Sequence, residues 1–270
     1  MSPTRREREY AKRRYNKWQN KLAMRMDRRR RQRQIGLAAA GAVATVAVIA
    51  VVGTMLMGGD DSTTATAATP SASATAANNP CGQPPAKPSA PKSWSTPPSK
   101  DLAQGKTWTW TIETSCGPVR VELDGAKAPQ AVSSTIFLSQ QGFYDSVPCH
   151  RLTVQGIYVL QCGDPTGSGT GGPGFSYGPV ENAPKNNVYP AGTVAIARQG
   201  GRGDSMGSQF FLVYKDSTIP SDNAGGYSVI GKISGGQDVV EKVAAGGLAS
   251  GSDIAPARAV SILSTSVAPS

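Results

Sequence analysis

The sequence predicts a mainly β domain, a closed antiparallel barrel of eight strands capped by two helices. Three observations predict it. Short runs of residues alternate between apolar and polar side chains with a period of two, which is typical of half-buried strands. Glycine-rich loops separate these runs, and only two segments have helical spacing of apolar residues.

The first two strands form a predicted hairpin, with Thr107–Ile112 and Val119–Leu123 joined through a turn at Cys116-Gly117-Pro118. The other strands are predicted at 151–154, 157–161, 193–197, 209–213, 228–233 and 259–264. Pro129 opens the first helix, since a missing N–H costs nothing at a helix start. The second helix is predicted over Gln237–Ala245. The domain is therefore expected to span residues 106–268.

A linker is expected before this domain, over residues 58–105. Thr, Ala, Ser and Pro dominate it, and its apolar content is too low to offset the entropy lost on ordering. We therefore expect a disordered linker whose proline-rich half is extended.

An uncharged apolar segment, Ile35–Met57, precedes the linker. Its 23 residues would span roughly 34 Å as a helix, enough to cross a bilayer core of about 30 Å. Basic residues flank it only on the N-terminal side, so the positive-inside rule places the N-terminus in the cytoplasm and the domain outside. A single-pass membrane anchor is expected; a cleaved signal peptide is the alternative, with Ala-x-Ala sites such as Ala65-Thr66-Ala67.

The net charge of +10 belongs to the tail over residues 1–34. This tail has 14 Lys and Arg against three acidic residues, or +11, and the rest has 14 basic against 15 acidic residues, or −1. The tail is interpreted as a cytoplasmic topology determinant, with an amphipathic helix on an anionic membrane surface as the alternative. Nothing beyond charge supports nucleic-acid binding, and none is expected.

All four cysteines, Cys81, Cys116, Cys149 and Cys162, follow the apolar segment. On the expected topology they face an oxidising space and should pair, in one of three possible arrangements. A zinc site is the competing interpretation, but there is no Cys-x-x-Cys and His150 is the only histidine. No metal is expected.

The usual catalytic motifs do not fit this sequence. No Gly-x-Ser-x-Gly motif accompanies His150, which argues against a serine hydrolase. The glycine-rich run 167–174 neither links a strand to a helix nor carries a phosphate-binding lysine, which argues against a nucleotide site.

Several segments, in order, together resemble the cyclophilin family of peptidyl-prolyl cis-trans isomerases over roughly residues 107–265. These segments are Ala128–Val132, Gly142–Asp145, His150–Leu152, Val159–Gly167, Gly171–Gly174, Gly192–Ala197, Gly207–Phe211 and Val229–Ile233. Gly207-Ser208-Gln209-Phe210-Phe211 is the most specific of them.

The resemblance implies a prolyl isomerase that needs no cofactor and binds proline-containing polypeptides as a monomer. A twisted prolyl amide regains a lone pair on nitrogen, and a fixed donor aimed at that lone pair lowers the barrier of about 18–20 kcal/mol. The resemblance assigns Arg151 to this role and Gln161 to orienting it. It assigns the remaining peptide contacts and the proline pocket to Tyr158, Val159, Ala197, Arg198, Gln209, Phe211, Ile219 and Tyr227.

The resemblance also implies that the strands before and after Gln155-Gly156 are antiparallel neighbours, and hence the disulfides Cys149–Cys162 and Cys81–Cys116. Several site positions depart from the family pattern, among them Val159, where Met is common, and Arg198, where Asn is usual. The expected function is accelerated rotation about X-Pro bonds in exported or cell-surface proteins. A proline-peptide binding module or chaperone with little turnover is the alternative.

Overall fold

The computed structural model describes residues 81–270, and the eight-stranded sheet within them is the frame of the domain. The strands are β1 (Thr107–Thr114), β2 (Gly117–Asp124), β3 (Arg151–Leu152), β4 (Val159–Cys162), β6 (Thr193–Ile196), β7 (Phe210–Val213), β9 (Val229–Gly235) and β10 (Ile262–Pro269). Their order is β10-β1-β2-β9-β6-β7-β4-β3, and every neighbouring pair is antiparallel.

Two further strands, β5 (Val188–Tyr189) and β8 (Ser217–Thr218), form a small separate pair. The helices are α1 (Pro129–Gln140) and α2 (Gln237–Ala245), and a short 3₁₀ helix covers Lys100–Ala103. The mainly β architecture with two helices is thus confirmed.

The prediction of a closed barrel is not confirmed, because the strand ladder has two ends, β10 and β3. Strand β3 is only two residues long, so it has no length to pair along β10. The gap is instead crossed at one isolated bridge between Pro148 and Ser261, flanked by hydrogen bonds from Cys149 N–H to the Val260 carbonyl and from Ile262 N–H to the Val147 carbonyl. The sheet is a strongly curled half-barrel.

The main core lies inside this curl, as the alternating pattern of β1 and β2 predicts. Trp110 and Ile112 of β1 and Val121 and Leu123 of β2 are at most 1% exposed, whereas the intervening residues face outward or are partly covered. Trp110 contacts the ring of Phe210, with centroids 4.9 Å apart, so β1 packs across the core onto β7.

Helix α1 begins at Pro129, as predicted, but its first turn is stabilised from elsewhere in the chain. Ala128 at the N-cap offers no side-chain hydrogen bond. The Glu181 carboxylate accepts the N–H groups of Gln130 and Ala131 at 3.1 and 2.9 Å. An acid at this position satisfies donors that have no partner within the helix and complements the helix dipole.

Residues 81–99, called the strap below, pack on the domain although the sequence assigns them to a linker. Trp94 donates its backbone N–H to the Pro173 carbonyl at 2.8 Å, and its ring lies 5.2 Å from that of Phe137. Cys81 is buried and disulfide-bonded to Cys116. The strap is therefore attached at its start and held along its length.

No helix within residues 81–270 is long and apolar enough to cross a membrane. The expected transmembrane helix over 35–57 and the tail over 1–34 lie outside the described residues, as does the first half of the expected linker.

Candidate functional site

The outer face of the sheet carries a row of four residues from four neighbouring strands. Arg151 on β3 pairs in register with Gln161 on β4, Gln161 pairs with Phe211 on β7, and Phe211 pairs with Ala195 on β6. Directly opposed residues of an antiparallel sheet point to the same face. The neighbouring residues Leu160, Cys162, Phe210 and Leu212 point inward and belong to the main core.

A chain of hydrogen bonds fixes the polar end of this row. Arg151 donates from Nη1 to Gln161 Oε1 at 3.0 Å, and Gln161 donates from Nε2 to Gln209 Oε1 at 2.8 Å. Gln209 in turn donates to the carbonyls of Gly169 and Gly171, at 3.1 and 2.9 Å. The glycine-rich loop thereby orients Gln209, and through it Gln161 and Arg151. This is the orienting role that the family resemblance implies for Gln161.

The apolar end of the row is a second hydrophobic cluster, separate from the main core. Its buried members are Val159, Tyr189, Ala195, Phe211, Val213 and Ile219, with Ala197 and Tyr227 packed against them. The Phe211 ring meets the Tyr227 ring edge to face, with centroids 5.4 Å apart. Most of the residues predicted to form the proline pocket are therefore together, on the same face of the sheet as Arg151.

Two predicted site residues have their side chains committed elsewhere. The Tyr158 ring lies against Tyr214, with centroids 5.9 Å apart, and the Lys215 ammonium is 4.8 Å from the centre of the Tyr158 ring. The Arg198 guanidinium binds Asp222 in a bidentate ion pair and is 1% exposed. Their predicted contacts with a peptide stay predictions.

A cleft of about 650 Å³ continues from the row along the glycine-rich loop. Gln161 and Gln209 line its end at the row, and Gly171, Pro173 and Ala197 line its sides. The strap supports this wall from behind, through the hydrogen bond from Trp94 to Pro173. An extended chain lying across the row would thus find these polar groups next to the second hydrophobic cluster.

Sequence reasoning missed Tyr189 and Asp222. Tyr189 lies in the two-residue strand β5, is fully buried in the second cluster, and accepts the Tyr227 N–H at its hydroxyl oxygen at 2.8 Å. Burial raises the pKa of its hydroxyl. A strand of two residues has no period to detect, so the only signal was one aromatic residue in a polar loop.

The four cysteines form two disulfides in the structure, Cys149–Cys162 and Cys81–Cys116, each with Cα atoms 3.9 Å apart. The first joins the segments that carry Arg151 and Gln161.

Asp164, two residues after Cys162, is buried, and its carboxylate accepts hydrogen bonds from Thr166, Ser168 and Gly169. Burial raises the pKa of Asp164, but the hydrogen bonds together outweigh burial and hold it below its ordinary value. This carboxylate fixes the start of the glycine-rich loop.

His150, next to Arg151, should make the domain less stable as the pH falls below about 6.5. Both ring nitrogens are buried and lack a hydrogen-bond partner among residues 81–270. Burial lowers the pKa of the imidazole; Asp164 partly opposes this, and Arg151 adds to it. In the unfolded chain His150 is protonated as the pH falls through about 6.5, whereas in the folded chain it is protonated only at a lower pH. Protonation therefore favours the unfolded chain between these pH values.

Urea unfolding of the wild type and of His150→Gln, each at pH 7.5 and pH 5, measures this effect. The midpoint should fall more in the wild type than in the variant between these pH values, because His150 is the only histidine. Equal falls in both proteins would contradict the prediction.

Comparison with known proteins places this site in a family. The model of the family described as cyclophilin type peptidyl-prolyl cis-trans isomerase/CLD matches residues 109–267, more than half of the chain. A probable peptidyl-prolyl cis-trans isomerase B from Mycobacterium leprae is 40% identical over 158 residues, which cover 54% of this chain and 52% of the relative. The chain thus spans about half the length of this relative.

A shorter relative, a peptidyl-prolyl cis-trans isomerase from Helicobacter pylori, is 38% identical over 149 residues, which cover 54% of this chain and 86% of the relative. A solved structure of a cyclophilin type isomerase from Cryptosporidium parvum superposes with a TM-score of 0.51 at 23% identity. That match covers 61% of this chain and 99% of the other, and it supports the fold alone. The chain belongs to the cyclophilin-type peptidyl-prolyl cis-trans isomerase family.

Proposed function

We propose that this protein is a peptidyl-prolyl cis-trans isomerase acting on X-Pro bonds of polypeptides at the row Arg151-Gln161-Phe211. The observation that carries the proposal is the juxtaposition in this row. A guanidinium oriented by Gln161 lies on the same face of the sheet as the apolar cluster around Phe211.

The chemistry of prolyl isomerisation matches these two features. Rotation about the C–N bond breaks amide resonance, and the prolyl nitrogen regains a lone pair only when the bond is twisted. A guanidinium N–H directed at that lone pair stabilises the transition state more than the planar ground state, so it lowers the barrier. The recess formed by Phe211, Val159 and Ile219 holds the pyrrolidine ring, while Gln209 and the backbone near Ala197 hold the flanking chain.

The test is isomerisation of a short Ala-Pro-containing peptide by the full chain, followed by NMR exchange between its cis and trans forms. Exchange should accelerate in proportion to the amount of protein. Peptide binding without acceleration would reject the isomerase and favour the alternative, a proline-peptide binding module or chaperone.

We also propose that the domain works outside the cytoplasm, on exported or cell-surface proteins, as a monomer tethered by residues 35–57. The two disulfides support an oxidising compartment. The basic residues before the apolar segment support a cytoplasmic N-terminus.

Cysteines introduced between residues 62 and 79 should react with a membrane-impermeant thiol reagent on intact cells. Protection of these cysteines, or domain found free in the medium, would contradict the tethered arrangement.

A further inference from the structure

Arg198 is the most completely bound side chain near the site. Its Nε donates to the Gly226 carbonyl at 2.8 Å, and Nη1 donates to the Gln199 carbonyl and to Asp222 Oδ2, both at 3.0 Å. Nη2 donates to Asp222 Oδ1 at 2.8 Å and to the Gly225 carbonyl at 2.6 Å. A guanidinium has five N–H groups, and these five bonds use all of them. No donor of Arg198 remains for a peptide.

Asp222 extends the same network to two stretches of backbone. Its carboxylate also accepts the N–H of Gly201 and of Ala224, at 2.8 and 2.9 Å. One ion pair therefore connects the 198–201 segment, which follows β6, with the loop 217–227, called the pocket loop below. The hydrogen bonds to Arg198 contribute to a lowered pKa at Asp222, although burial opposes it, so the carboxylate is charged at neutral pH.

The pocket loop carries two residues of the second hydrophobic cluster, where the proline ring is proposed to bind. Ile219 is buried in the second cluster, and Tyr227 packs against it. The Arg198 guanidinium lies over the Tyr227 ring, 5.0 Å from its centre, and Tyr227 meets Phe211 edge to face. The Arg198–Asp222 ion pair is thus connected to Phe211 through contacts with the Tyr227 ring.

We propose that Arg198 and Asp222 are positioning residues, which hold the pocket loop as a fixed wall of the proline recess and so set how tightly the substrate binds. This inference rests on the proposed isomerase function. A wall that is already ordered does not have to be ordered by the substrate, so the pair favours binding by pre-organisation. Removing one partner leaves the other charge buried without compensation, so the loop is expected to open to hydrate it.

The experiment compares the full wild-type chain with Asp222→Asn and with Arg198→Lys. Asparagine keeps the shape of Asp222 without its charge, and lysine keeps the charge of Arg198 without the planar fork that makes the bidentate pair. In both variants KM for an Ala-Pro-containing peptide should rise about five- to twenty-fold, while kcat stays within about two-fold, because Arg151 and Gln161 are untouched. Arg202→Gln is the matched control, since Arg202 lies in the adjoining loop, is 59% exposed and makes only long side-chain hydrogen bonds, to Asp204 and Gln199, each at 3.4 Å. Its KM should not change.

Amide hydrogen exchange in the pocket loop provides a second readout that does not depend on catalysis. Exchange of residues 217–227 should accelerate in Asp222→Asn and Arg198→Lys, and not in Arg202→Gln. Unchanged KM and unchanged exchange, or a fall in kcat at constant KM, would overturn the positioning role. If the wild type has no isomerase activity but exchange still responds as expected, the proposed function is wrong, and the stabilisation of the pocket loop by Arg198 and Asp222 is still supported.

Discussion

Replacing Arg151 with alanine should lower kcat/KM for an X-Pro peptide by at least tenfold, and by about 10²-fold if it is worth as much as a single oxyanion donor. The loss should fall mainly on kcat, because the proposed interaction forms only when the amide is twisted. The measurement is a steady-state isomerisation assay, with circular dichroism to verify that the fold is intact.

Arg151→Lys is the informative companion to this variant. Lysine retains a positive charge but cannot both contact Gln161 Oε1 and present a planar fork. We expect activity between that of the wild type and that of the alanine variant. Wild-type turnover in Arg151→Ala would remove Arg151 from the mechanism.

Phe211→Ala should impair the enzyme through its substrate site, and Phe210→Ala should impair it through its fold. The two residues are adjacent on β7, have the same side chain and point to opposite faces of the sheet. Phe210 contacts Trp110 and Tyr144 in the main core, so its truncation should cost about 3–5 kcal/mol of unfolding free energy.

Phe211 lies in the smaller outer cluster, so its truncation removes a side chain that is proposed to contact the proline ring. We expect kcat/KM to fall more than tenfold, mostly through KM, since burying such a side chain is worth about 1.5–3 kcal/mol. Urea unfolding and kinetics of both variants check this. Equal kinetic losses in the folded fraction of both proteins would show that Phe211 has no special relation to the substrate.

The sequence predicted the central strands well because their side chains alternate between two buried or half-buried faces. The alternating apolar residues Trp108, Trp110 and Ile112 predict β1 clearly. Strand β10 has no such pattern, and its position was predicted wrongly. The last strand was predicted over 259–264, but β10 covers Ile262–Pro269. Most of its side chains are exposed, so its position is decided by backbone pairing with β1, from Trp108 opposite Pro269 to Thr114 opposite Ile262. No side-chain pattern records that pairing.

The candidate site also contains some residues that the sequence predicts and others that it does not. The row of Arg151, Gln161 and Phe211 could be identified from contiguous motifs, and strand register then brings these residues together. Arg198 could be identified as unusual, but its partner Asp222 is 24 residues away in a loop without a periodic pattern. The strap cannot be predicted in this way, because a few scattered contacts attach it, from Cys81, Trp94 and two lysines. The average composition of a polar, proline-rich segment does not reveal such isolated contacts.

The Cys81–Cys116 disulfide determines how mechanical force would pass through the domain. The two cysteines are 35 residues apart, and the covalent loop between them contains the strap and the whole of β1. Tension applied to the chain before Cys81, as from a membrane anchor, would travel through the sulfur–sulfur bond directly to the β1–β2 turn. The contact between Trp94 and Pro173 lies off that path, so a pull on the tether would not peel the strap from the wall of the cleft. Once the disulfide is reduced, the same pull would load the strap first, residue by residue, beginning at its N-terminal end.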